Sequence, residues 1–204
     1  MKAIYLLVAS CCVALLLSLA TPLALADQWN QATKLTFSQP VEIPGVVLPA
    51  GTYWFTLISD DQDRNIVQVW NQDRNHLMAT LLTEPDYRLK PAGRTIVRFE
   101  ERASTQPEAI RAWFYPGETY GHEFVYPESR ARELAKRTGQ PVLSMRDEEA
   151  SNITKPATSA KDSSVVIMKQ AHIEAVNSSG QEVDKSAAIQ SVPQNSNQMP
   201  ASQR

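Results

Sequence analysis

Between Trp29 and Tyr126 the chain alternates short runs of β-branched and aromatic residues with turn signals roughly every ten residues, and this rhythm restricts the fold more than any other feature. Strands are expected at Lys34 to Phe37, Val41 to Val47, Thr52 to Ile58, Ile66 to Trp70, His76 to Leu82, Thr95 to Glu100, Ala109 to Tyr115 and Gly121 to Tyr126. A set of this kind suits a mainly β fold, a small antiparallel β-sandwich or open barrel. Side chains alternate across a strand, so Tyr53, Phe55 and Leu57 share one face and Thr52, Trp54 and Thr56 the other. In the same way Val97 and Phe99 oppose Arg98 and Glu100.

Local echoes support the turns. "PAG" recurs at Pro49 to Gly51 and Pro91 to Gly93, each ahead of a strand, and "QDRN" recurs at Gln62 to Asn65 and Gln72 to Asn75 around "IVQVW". After Tyr126 the period becomes helical. Pro127 suits a first turn, Ala131, Leu134 and Ala135 form an apolar stripe, and Gly139 with Pro141 stops one short C-terminal helix. Glu128 with Arg132 and Glu133 with Arg137 are spaced for ion pairs, which makes its Arg and Lys residues a solvated face rather than a basic patch.

Every aromatic residue except Tyr5 lies between Trp29 and Tyr126, whereas residues 148–204 hold none and are rich in Ser, Gln, Asn, Ala and Pro. A segment with little large apolar area to bury cannot offset its ordering entropy. One folded domain is therefore expected over residues 27–147, followed by a disordered polar tail at 148–204. The tail's one apolar island, "SSVVIMKQAHIEAV" at 163–176, could dock on a sheet edge, bind a partner or stay unordered, and its surroundings favour the last.

The first 26 residues carry Lys2, an apolar run, Pro22 and an A-L-A site at Ala24 to Ala26, the pattern of a cleaved secretory signal peptide. Export to the periplasm or the exterior follows as an expectation, with no membrane span after cleavage. Both cysteines, Cys11 and Cys12, fall inside the leader, leaving no disulfide framework. Loss of Lys2 with the leader moves the formal charge from −2 to −3. That balance offers no field for nucleic acid.

No motif specifies a cofactor or a metal. Asp61, Asp63 and Asn65 are spaced like the first ligands of a calcium loop, but Ile66 replaces its glycine and Gln72 its final glutamate. His76, His122 and His172 lack partners at ligand spacing, and His122-Glu123 lacks the second histidine of H-E-x-x-H. No nucleophile motif is present. Paired carboxylates such as Glu100 with Glu101 and Glu118 with Glu123 leave a small hydrolase using carboxylates or His122 as an alternative.

The densest aromatic stretch is "RAWFYPGETYGHEFVYP", residues 111–127. Strict alternation groups Ile110, Ala112 and Phe114 as core, and sets Arg111, Trp113 and Tyr115 on the opposite face near Tyr120 and His122. Those five are the candidate ligand-binding residues, because amphipathic rings give large contact area at low entropy cost. The stretch reads as core first, binding surface second and catalysis third.

"KLTFSQPVEIPGVVLPAGTYWF", "PDYRLKPAGRTIVRFEER" and "AWFYPGETYGHEFVYP" resemble segments of a family of uncharacterised exported β-domain proteins of soil bacteria, Acidobacteria-like genomes among them. The likeness covers about residues 27–145 and implies a bacterial, exported, single β-domain protein. It carries over no functional residue. The expectation is thus an exported, non-enzymatic β-sandwich module that binds an envelope glycan or a protein partner through an aromatic face, with a structural envelope protein as a further alternative.

Overall fold

The computed structural model describes residues 32–58, 66–100, 106–153 and 155–190, with the backbone of 199–200. The leader and the Asp61 to Asn65 segment lie outside the described residues. The main sheet contains β1 (Ala32–Phe37), β2 (Val41–Ile43), β3 (Val46–Leu48), β4 (Gly51–Leu57), β5 (Ile66–Asn71), β6 (Leu77–Tyr87), β7 (Ile96–Glu100), β8 (Glu108–Phe114) and β9 (Tyr120–Phe124). All the expected strands form. The segment Val41 to Val47 splits into a hairpin at Pro44-Gly45, where Gly45 takes a φ of 83° that a side chain would strain.

The strands follow the order β1-β4-β5-β6-β9-β8-β2-β3, with β7 on β8. The eleven-residue β6 joins the two halves: Leu77 to Leu82 pair with β5, and Thr83 to Tyr87 pair with β9. The sheet therefore folds over on itself as a sandwich or open barrel. Its core takes Phe37, Phe55, Val97, Trp113 and Phe124, with the Phe55 ring centroid 6.1 Å from Trp113 and 6.4 Å from Phe124. Tyr53, Phe55 and Leu57 face it, as alternation requires.

A smaller sheet closes one end. It orders β10 (Tyr126–Pro127), β11 (Val142–Met145), β12 (Ile173–Val176) and β13 (Glu182–Val183), with α1 (Glu128–Thr138) between β10 and β11. The helix buries Ala131, Leu134 and Ala135 and ends at Gly139 in the left-handed region, whose N–H donates to Ala135 O at 2.9 Å. Arg132 pairs with Glu128 as its spacing predicts, but Glu133 pairs with Arg130, and Arg137 instead donates to Gln106.

The folded unit extends past the boundary expected at 147. The described part of 148–190 supplies α2 (Asp147–Ser151), α3 (Ser163–Gln170), β12, β13 and α4 (Ser186–Gln190), three helices more than the one expected. Ala157, Val165, Met168, Ala175 and Ala188 join Ile58, Ile66, Leu82 and Leu143 in a second core. The island at 163–176 is thus a helix and a strand docked on β11. Small and medium apolar side chains, Ala, Val, Ile and Met, replace aromatic rings here, which is why an aromatic count misses it. Thr80 clamps the segment by accepting the N–H of Ala157 at 2.8 Å, and Gln68 donates to Ala157 O at 2.7 Å. Further along, β14 (Met199–Pro200) pairs with β7.

Gly121 in β9 has a packing role. A Cβ there would sit 2.3 Å from the Phe114 ring, which lies flat against the glycine backbone. Gly121→Ala is expected to destabilise by about 1–3 kcal/mol through overpacking, read as a lower urea midpoint. Adding Phe114→Leu should recover part of that loss, and an unchanged midpoint in the single variant would refute the contact.

Candidate functional site

The candidate aromatic face is not an exposed face. Trp113, Arg111 and His122 are 0, 2 and 1 % exposed, and Tyr115 and Tyr120 are partly buried. Strict alternation fails at one residue. Arg98 opposes Ala112 while Phe99 opposes Ile110, so Arg111 is the extra residue of a β-bulge. Beyond the bulge Ile110 turns to the core with Trp113, and Arg111 moves to the side of Ala112. The outward side of this half-sheet is itself buried, and Arg98 and Glu100 are buried with it.

On that covered side lies a charged network. Arg111 is 3.2 Å from Glu100 and 3.1 Å from Glu123, and Arg98 is 3.1 Å from Asp86. The Arg111 guanidinium also donates to Gln140 Oε1 at 3.3 Å, Pro141 O at 3.3 Å and Ala188 O at 2.9 Å. It therefore pins α4 and the loop after α1 onto β8. Three carboxyls share two buried guanidiniums, with Arg88 at the rim. Burial dominates at Glu123 and raises its pKa to about 8 against the pull of Arg111, and burial likewise raises Asp86.

The hydrolase alternative predicts that His122 and Glu123 converge in a cleft with a second carboxylate. Neighbours in β9, they point to opposite faces. His122 lies 5.4 Å from Trp113, ring to ring, on the core side, with Nδ1 3.3 Å from Thr83 Oγ1. Its Nε2 has no hydrogen-bond partner among the described residues, and burial lowers its pKa to about 4. Neither group meets solvent or the other. Among the described residues no three His, Cys, Asp or Glu are placed to hold a metal ion, and no helix is long and apolar enough to cross a membrane.

A partly exposed aromatic row lies elsewhere, on the outer face of β1, β4 and β5. The register sets Lys34 beside Trp54 and Trp54 beside Trp70, while β6 continues the row with Leu77 opposite Trp70. Both indoles are half-buried, and the row ends at the exposed Lys34. Trp54 Nε1 donates to Gln72 O at 3.1 Å, which fixes the indole against the β5–β6 turn. Thr36 and Thr52 share a hydroxyl hydrogen bond of 3.0 Å on the same surface. Arg74 places its guanidinium 4.8 Å from the Trp54 ring centroid, and Lys34 Nζ lies at 5.9 Å.

The turn that carries Arg74 is tightly held. Asn71 Oδ1 accepts the N–H groups of Asn75 and His76 at 3.1 Å each, and Asn71 Nδ2 donates to Asn75 Oδ1 at 2.6 Å. Arg74 sits at a φ of 55°, a left-handed conformation unusual for a residue with a Cβ. The sequence signal was available. Trp54 stands among Thr52 and Thr56, and Trp70 between Gln68 and Gln72, which marks both as outward-facing rings.

Two other surfaces stand out. Tyr87 is 64 % exposed, packs edge-on against Tyr120 at 5.7 Å and neighbours Leu89, the most exposed large apolar side chain among the described residues. A cleft of about 280 Å³ opens between Pro44, Met78, Leu81, Met145 and Met168. Comparison with family models, curated proteins and solved structures finds no match, so the chain's own geometry carries the functional reading.

Proposed function

We propose that this protein is an exported, non-enzymatic β-module that binds an envelope glycan on the outer sheet face bearing Trp54 and Trp70. The carrying observation is the pair of half-exposed tryptophans side by side in register, on rigid strands, flanked by hydroxyl and cationic side chains. Flat rings on a sheet present area that loses little entropy on binding, and neighbouring polar groups fix the orientation of a sugar. The binding face is that of Trp54 and Trp70, whereas Trp113 is buried in the core.

Titration of intrinsic tryptophan fluorescence with peptidoglycan fragments and neutral and acidic polysaccharides tests this. A saturable change is expected, weakened at least tenfold in Trp70→Ala and in Trp54→Ala while thermal unfolding stays cooperative. Tyr87→Ala should bind as the parent does. No saturable response to any glycan, or a response lost only in the Tyr87 variant, would dismiss the assignment.

A further inference from the structure

Resting on the glycan reading above, the geometry points to a narrower ligand: a polysaccharide bearing uronic acids, its pyranose ring on Trp70 and its carboxylate held by Arg74 and Lys34. Two cations converge on Trp54, and neither pairs with a carboxylate among the described residues. The turn from Asn71 to His76 holds the Arg74 backbone in a left-handed conformation, and its guanidinium rests on the Trp54 ring. That arrangement presents a donor fork for a carboxylate next to an aromatic platform.

The division of labour follows from the contacts. Trp54 carries the two cations on its ring, whereas Trp70, its neighbour in register, has no cation contact among the described residues and is the ring left for stacking. Arg74 and Lys34 beside that ring call for a carboxylate on the sugar that stacks on Trp70. A uronic acid meets this because its carboxylate is bonded directly to the pyranose. A lactyl ether, as in muramic acid, carries its carboxylate on a side arm and is the competing source that the binding test separates.

Binding of an oligogalacturonate, its methyl ester, a neutral chito-oligosaccharide and a muramic-acid peptidoglycan fragment decides the matter, measured calorimetrically on protein expressed from the full sequence. The acid should bind at least tenfold tighter than its ester at low salt, and added salt should narrow the gap. Arg74→Gly, which suits the left-handed backbone and so preserves the turn, should bring acid and ester within about twofold by weakening the acid far more than the ester. Lys34→Gln should act in the same direction with a smaller effect. Equal affinity of the parent protein for acid and ester would overturn the inference and leave the glycan reading standing. An Arg74-dependent preference for the muramic fragment over the oligogalacturonate would overturn the uronate assignment. Silence of all four probes would remove the inference and count against the glycan reading as well.

Discussion

Replacing Arg111 by methionine is expected to lower stability by about 3–5 kcal/mol, read from urea unfolding, because it takes from the buried Glu100 and Glu123 the guanidinium they share. Glu123 is 1 % exposed and Glu100 2 %, so neither can turn to water without unpacking the segment above it. The same change removes the donors to Pro141 O and Ala188 O. Limited proteolysis should then cut near Lys185 before the parent protein is touched. The triple variant Arg111→Met, Glu100→Gln, Glu123→Gln should recover a large part of the loss, since removing a buried ion set together is far less harmful than removing one member. A single-variant effect below about 1 kcal/mol, within the range of exposed ion pairs, would mean that the network carries little of the fold's stability.

Stability should also describe a plateau in pH with a loss on each side. Glu123 is raised from 4.5 to about 8 by burial, so its protonated form favours the fold; that contribution is complete below pH 4.5 and is lost as pH rises through 8. His122 is lowered from 6.5 to about 4, again by burial, so its neutral form favours the fold; that contribution is complete above pH 6.5 and is lost as pH falls through 4. Between 4.5 and 6.5 the two slopes oppose each other and the curve should be flat. Asp86, raised by burial in the same way as Glu123, contributes with the same sign, stability that falls as pH rises. Urea midpoints measured from pH 3.5 to pH 9 should therefore show an alkaline limb that flattens in Glu123→Gln and an acid limb that flattens in His122→Asn. An alkaline limb unchanged in the first variant would place Glu123 among ordinary ionised carboxylates.

What could be read from residue order is tied to local geometry. Period-two alternation located the strands and put Tyr53, Phe55 and Leu57 inside, because a pleated backbone sends successive side chains to opposite faces whatever lies beyond. The helix Glu128–Thr138 was equally legible, since its apolar stripe and the stop at Gly139 act within a few turns. Residues 163–176 were misjudged because a docked helix and strand need only Val165, Met168, Ala175 and Val176 to find a partner surface, and that surface comes from β11 and the outer side of β5 and β6.

The sequence by itself determined a mainly β domain, its strands, one helix and the lack of a recognisable catalytic motif, all of which rest on spacing along the chain. Only the tertiary structure decided which rings are buried. One extra residue in β8 sends Arg111 to the side opposite Trp113, where it donates to Ala188 O and is buried with Asp86, Arg98, Glu100 and Glu123. Trp54 and Trp70, sixteen residues apart in the chain, become neighbours only through the β4–β5 register, with Arg74 carried over them by the next turn. A surface made by strands pairing across the chain has no signature in any single segment.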